Sequence, residues 1–100
     1  MKKEDFDLCE SMRLALLSME QKITDRELDV EADIPEEPVM VEGVNDLITQ
    51  VIYNLLENAT KFAAPGSTLY LGLTETGGDK AVVTVAVRAL PQERQIPLRG

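Results

Sequence analysis

The sequence predicts an α+β fold in which two helices cover one face of a mixed four-stranded sheet, in the order α-β-β-α-β-β. Two segments have apolar residues at helical spacing. Four segments either alternate between polar and apolar residues or form short apolar runs, and turn residues separate them. Because each predicted strand has a single apolar face, a two-layer sandwich is expected.

The first half of the chain is predicted to form one helix and two strands. Residues 5–23 have apolar side chains at helical spacing, with acids in the first turn that suit the helix dipole. Residues 27–34 alternate strictly between acidic and apolar side chains, which indicates a half-buried strand with a wet acidic face. Two prolines in residues 35–38 end this strand, and residues 39–41 form a short second strand before Gly43.

The longest helical pattern covers residues 45–63. Asn45 or Asp46 is placed to cap its start, and Pro65-Gly66 closes it with a loop. One face of this helix is polar and the other is apolar. The apolar face consists of Ile48, Val51, Ile52, Leu55, Ala59 and Phe62.

The last third of the chain is predicted to form a hairpin and a tail. Residues 68–74 and 81–88 alternate at period two around the turn residues 77–79. Residues 89–100 contain two prolines and show no apolar period, so we predict an irregular tail. The domain organisation that follows is one domain over residues 1–88 and a separate tail.

The chain of 100 residues has a net charge of −8, from 18 acidic and 10 basic side chains. This balance argues against nucleic acid or an anionic membrane as a partner. It also disfavours a free polyanion, so a bound nucleotide would need a divalent cation to offset the repulsion.

Histidine is absent, which excludes imidazole zinc sites, Ser-His-Asp triads and phosphohistidine chemistry within this chain. The single cysteine, Cys9, cannot form an intrachain disulfide. The apolar runs are too short to cross a bilayer, and the charged N-terminus does not resemble a signal peptide. We expect a cytoplasmic location, which leaves open a membrane-anchored parent protein.

The polar face of the second helix carries the candidate functional residues. Asn54, Asn58 and Lys61 are separated by four and three residues and therefore share one face, with Glu57 beside them. A carboxamide oxygen can bind Mg²⁺, and a lysine can meet a phosphate as a point charge. This combination favours a nucleotide site.

The alternative is an ordinary solvated helix face, with Lys61 placed by the helix dipole. Asparagine, however, costs about 0.5 kcal/mol or more relative to alanine inside a helix, and here it occurs twice. Two carboxamides one turn apart suggest that a specific oxygen or amide is needed at this face.

Residues 46–62, which include Asn54-Leu55-Leu56-Glu57-Asn58-Ala59-Thr60-Lys61-Phe62, resemble the N-box of sensor histidine kinases. These kinases belong to the GHKL superfamily of ATP-binding domains. The resemblance extends over residues 5–88 and implies an incomplete Bergerat-like sandwich that binds ATP and Mg²⁺. It further implies ATP-dependent histidine phosphorylation in the parent protein, with a dimerisation domain and a response regulator as partners.

The resemblance implies a role for each residue of this polar stripe (Asn54, Glu57, Asn58 and Lys61) and for Phe62. Asn58 matches the ligand of the Mg²⁺ that bridges the ATP phosphates, and Asn54 matches the preceding asparagine near those phosphates. Lys61 matches a phosphate contact. Phe62 matches an aromatic beside the nucleotide, with a core aromatic as the alternative. Glu57 is expected to be solvated in preference to acting as a catalytic base.

The chain departs from the family pattern after its second hairpin strand. The family continues with an Asp-x-Gly-x-Gly box that binds adenine, whereas here Arg88 is followed by Ala89-Leu90-Pro91. The glycine-rich lid and the phosphoacceptor histidine are also missing. We therefore expect weak or absent ATP binding and no autophosphorylation by this chain alone.

Two other hypotheses remain open at this point. The first is a non-catalytic interaction module on a degenerate GHKL scaffold, in which an incomplete sheet leaves an edge for self-association. The second is an unrelated α+β domain whose helix matches the N-box by chance.

Overall fold

Helices and a mixed sheet make up the computed structural model, which describes residues 2–76, 80–87 and 92–98. This arrangement confirms the predicted α+β class. The predicted turn at residues 77–79 lies outside the described residues. In chain order the elements are β1 (Glu4–Asp7), α1 (Leu8–Ser18), α2 (Glu20–Asp25), β2 (Asp29–Asp33), β3 (Met40–Gly43), α3 (Asn45–Phe62), β4 (Thr68–Glu75), β5 (Lys80–Val87) and β6 (Gln92–Pro97).

The main sheet has the strand order β2-β4-β5-β6. β2 and β4 are parallel, with Val30 opposite Leu69, while β4 and β5 form the predicted antiparallel hairpin. β1 and β3 form a separate antiparallel pair. An isolated bridge between Val41 and Leu98 joins this pair to the end of β6.

The core lies between the helices and one face of the main sheet. Alternate residues of β4 and β5 are buried, as their period-two patterns predict. The fully buried helical side chains pack against them, so the helices and the sheet form two layers. The central members are Met12, Met19, Ile52, Leu56, Leu69, Leu71, Val83 and Val85.

The predicted helix over residues 5–23 begins later and is interrupted. Glu4–Asp7 pairs with β3 as strand β1, so sheet pairing takes the residues that were expected to form the first turn. Asp7 is the N-cap of α1, and its Oδ1 accepts hydrogen bonds from the backbone N–H groups of Cys9 (3.0 Å) and Val39 (3.1 Å). The helix then breaks at the buried Met19, after which α2 begins.

The end of α2 is a Schellman motif with an unusual residue. The N–H of Leu28 donates to the carbonyl of Ile23 at 3.1 Å, and the N–H of Glu27 donates to that of Thr24 at 3.0 Å. Glu27 has a φ of 57°, the left-handed conformation in which glycine is usual.

Glu27→Gly is expected to raise the free energy of unfolding by about 0.5–1 kcal/mol. The substitution removes the clash of Cβ in the left-handed region, and the greater chain entropy of glycine in the unfolded state offsets part of that gain. Urea unfolding followed by circular dichroism measures the change. Glu36→Gly, in the loop after β2, is the control, and a larger stabilisation there would contradict the explanation.

The predicted irregular tail is wrong for residues 92–97. This segment forms β6, which pairs antiparallel with β5 and places Ile96 opposite Ala81. A ladder needs only backbone groups, and Pro97 ends the strand, where its missing N–H is tolerated. β6 therefore covers one edge of β5. Among the described residues, no helix is long and apolar enough to cross a membrane.

Candidate functional site

Helix α3 is held against α1 by a polar contact at its first residue. The Oδ1 atom of Asn45 accepts hydrogen bonds from Ser11 Oγ (2.7 Å) and Thr49 Oγ1 (3.1 Å). Asn45 lies inside the helix and Val44 is the N-cap, without a side-chain hydrogen bond. The predicted capping role of Asn45 or Asp46 is therefore wrong, because Asn45 instead satisfies the buried hydroxyl of Ser11.

The structure places Asn54, Asn58 and Lys61 together on the exposed face of α3. The opposite face buries Ile52 and Leu56 in the core, so the orientation of the stripe is fixed by packing. Within the described part of the chain, the two carboxamides form no side-chain hydrogen bond and Lys61 forms no ion pair. Their oxygen and nitrogen atoms are therefore available to a ligand.

Phe62 ends α3 with 79% of its surface exposed. The alternative prediction of a core aromatic is therefore wrong. The Nζ atom of Lys61 lies 5.7 Å from the centroid of the Phe62 ring, which places a cation and an aromatic face side by side at the end of the stripe.

The side chain of Glu57 is 43% exposed and forms an ion pair. Its Oε2 lies 2.5 Å from Lys22 Nζ on α2, and Lys22 also donates to the hydroxyl of Tyr53 at 3.2 Å. The Lys22 ammonium lowers the pKa of Glu57, and Glu57 in turn raises the pKa of Lys22. A lowered pKa does not suit a general base, whose pKa should lie near the working pH.

The pKa of the Glu57 carboxyl is expected to lie below its ordinary value of about 4.3 and to return towards it in Lys22→Gln. The stability that this pair contributes is present at neutral pH and is lost as the pH falls through the lowered pKa of Glu57. It is also lost as the pH rises through the raised pKa of Lys22. A carbon-13 NMR titration of the carboxyl group measures the effect, with Lys80→Gln as the control. An unchanged titration in Lys22→Gln would contradict the ion pair.

Sequence reasoning missed the contacts that join α2 to the end of α3. The guanidinium of Arg26 donates hydrogen bonds to the carbonyls of Lys61 (2.7 Å) and Ala63 (3.5 Å). These carbonyls at the end of α3 therefore have a hydrogen-bond partner that the helix itself does not provide. These pairs are separated by more than 30 residues, and no short-range pattern marks them. They fix the backbone from which Lys61 projects.

The exposed side chains of α3 suit a Mg²⁺ ion that is bound mainly by phosphates and water. Within the described residues there is no group of three or more His, Cys, Asp or Glu side chains that could hold a metal ion by itself. Mg²⁺ in nucleotide sites keeps several waters and uses one or two protein oxygens together with substrate phosphates. An exposed carboxamide such as that of Asn58 is suited to be one such ligand.

The chain is similar to sensor kinases in sequence and in structure. It is 37% identical over 65 residues to the adaptive-response sensory kinase SasA of Synechococcus sp. (strain JA-3-3Ab). It is 42% identical over 50 residues to the sensor protein KdpD of Clostridium acetobutylicum. The catalytic domain of the histidine kinase ThkA superposes with a TM-score of 0.78 at 26% identity and covers 85% of this chain. The chain is a homologue of the catalytic domain of sensor histidine kinases.

The chain matches only a part of the length of each relative. The chain spans 17% of the SasA relative, 6% of the KdpD relative and 57% of the solved ThkA catalytic domain. ThkA solved in complex with the response regulator TrrA also matches, with a TM-score of 0.71 at 27% identity. That match covers 83% of this chain and 25% of the ThkA chain. No family model matches the sequence.

Proposed function

We propose that α3 forms the magnesium- and phosphate-facing wall of an ATP site in a sensor histidine kinase of the GHKL superfamily. Asn58 supplies a carboxamide oxygen to the metal ion, and Asn54 hydrogen-bonds the phosphate chain one turn away. Lys61 neutralises phosphate charge, and Phe62 covers the nucleotide with its exposed ring. Glu57 serves the site through its ion pair with Lys22, which braces α3 against α2.

One observation carries this proposal: two exposed carboxamides and a lysine without an ion pair share one face of a helix whose other face is fixed in the core. The chain has a net charge of −8, so a cation on this face offsets a surface that is acidic on balance. Arg13 and Lys22 form ion pairs with Glu10 and Glu57, whereas Lys61 forms none with a described residue. Lys61 is thus positioned to receive an anion that the rest of the surface repels.

The chemistry at this wall is positioning and charge neutralisation. A magnesium ion bound with ATP supplies charge stabilisation at the phosphate oxygens. Asn58 and Asn54 orient the phosphate chain, and Lys61 offsets its negative charge. The phosphoryl acceptor must lie on another domain, because this chain has no histidine. A response regulator then receives the phosphoryl group. Because the reaction uses ATP, we place it in the cytoplasm.

Affinity is expected to be weak in the chain of 100 residues. Arg88-Ala89-Leu90-Pro91 replaces the acid and glycines that would bind adenine, so the base gains little on binding. The phosphate chain and its metal ion supply the binding energy, and we expect a Kd of about 1 mM or weaker, equivalent to about −4 kcal/mol.

An NMR titration tests the proposal residue by residue. Mg·ATP and Mg·tripolyphosphate are expected to shift the same amide signals, centred on Asn54, Asn58 and Lys61, whereas adenosine shifts none of them. Asn58→Ala should remove the shifts caused by both phosphate ligands, and Gln21→Ala on α2 should leave them unchanged. Shifts with adenosine alone, or shifts away from α3, would refute the proposed wall. Micromolar binding of Mg·ATP would show that the expected weakness is wrong.

A further inference from the structure

Strand β2 leaves one of its edges unpaired within the described part of the chain. It pairs only with β4, at the end of the main sheet. The N–H of Asp29 donates to the carbonyl of Ser67 at 3.0 Å, so the backbone groups of Asp29 point towards the β4 side. Because these groups alternate along a strand, those of Val30 and Ala32 point outwards. All residues of β2 are exposed.

The two faces of β2 carry different kinds of side chain. One face carries a row of carboxylates, from Asp29, Glu31 and Asp33, of which Asp33 accepts a hydrogen bond from Tyr70 at 3.3 Å. The other face carries Val30 and Ala32, which lie opposite the core residues Leu69 and Leu71.

A mainly apolar groove of about 520 Å³, which Arg13, Glu20 and Thr24 also line, continues from the apolar face of β2 towards the helices. Helices α1 and α2 form its opposite wall, and 64% of the surface of Leu17 is exposed there. The groove extends the core face of the sheet beyond the cover that the helices provide. Its apolar lining consists of Leu16, Leu17, Ile23, Ala32 and Ile34.

We propose that the free edge of β2 binds an extended polypeptide segment in which apolar residues alternate with lysine or arginine. The backbone of such a segment pairs with the outward N–H and C=O groups of Val30 and Ala32. Its apolar side chains enter the groove, and its basic side chains lie on the opposite face beside Asp29 and Glu31. Both sets of contacts follow from the period-two geometry of one added strand.

Charge complementarity selects this partner over a second copy of the chain. Two copies that met at β2 would bring two rows of carboxylates together, and each copy has a net charge of −8. Like charges opposite one another destabilise a strand pair. A basic segment instead gains from the acidic row, which also accelerates its association at low salt.

The heptapeptide Lys-Val-Lys-Ile-Lys-Val-Lys is the probe, labelled for fluorescence anisotropy and titrated with the chain of 100 residues. Its binding is expected to weaken about tenfold in Leu17→Glu, which replaces an exposed apolar side chain of the groove with a carboxylate. Leu14→Glu is the matched control, since Leu14 is 52% exposed on the same helix but does not line the groove. It should leave the affinity of the peptide unchanged.

Hydrogen exchange on the wild-type chain provides a second readout that needs no variant. The amides of Val30 and Ala32 are expected to gain protection when the heptapeptide binds. Equal binding of a peptide with the four lysines grouped together would refute strand addition, because only nonspecific charge would remain. Failure to bind, unchanged exchange at both amides, or dimerisation of the chain through β2 in light scattering would also overturn the proposal.

Discussion

Leu56→Ala is expected to lower the free energy of unfolding by about 3 kcal/mol. Leu56 is fully buried on the core face of α3, where no solvent reaches its side chain. Truncation removes the transfer energy of the lost carbons and leaves a cavity that the close-packed core fills only in part. Because the same helix carries the polar stripe on its other face, this loss also loosens the support of Asn54 and Asn58.

Urea unfolding followed by circular dichroism measures the loss in Leu56→Ala. Leu47→Ala on the same helix is the matched control, because 46% of the Leu47 surface is exposed. It should cost well under half as much as the truncation of Leu56. Equal losses at the two positions would mean that α3 does not bury the face assigned to it.

Asn58→Ala is expected to reduce autophosphorylation by about 100-fold or more in a kinase that carries this helix. The host is the histidine kinase ThkA, in which residues 45–62 of this chain replace the corresponding helix of the catalytic domain. The substitution removes the oxygen that we propose faces the metal ion and leaves the helix intact, since Asn58 is exposed.

Transfer of labelled phosphate from ATP to the kinase measures this loss. Gln50→Ala, at an exposed position two turns before Asn58, is the control and should retain the activity of the graft. Full activity in Asn58→Ala would contradict the metal-facing role. A graft that is inactive with the unmodified helix would show that α3 cannot serve as the wall of a kinase site.

The elements that carry the site could be predicted from local pattern. Helix α3 has a clear apolar face, and the hairpin of β4 and β5 alternates at period two. The shared face of Asn54, Asn58 and Lys61 follows from helical geometry alone. The two-layer arrangement follows from the single apolar face of each element.

Features that depend on distant pairing could not be predicted in this way. β1 and β6 are strands because β3 and β5 offer backbone partners, and their own sequences show no alternation strong enough to indicate this. The ion pair between Lys22 and Glu57 joins residues 35 positions apart. The left-handed residue Glu27 is equally hidden, because glycine is the usual signal of such a cap.

Paramagnetic broadening by Mn²⁺ bound to ATP tests the metal-facing role of α3 most directly. Mn²⁺ takes the place of Mg²⁺, and the amide signals nearest to the metal ion broaden first. Asn58 and Asn54 are expected to lose intensity at the lowest concentrations of Mn·ATP, and Mn²⁺ without ATP is expected to have no such effect there. Broadening centred on the carboxylates of β2, or unchanged signals along α3, would contradict the proposed metal-facing role of α3.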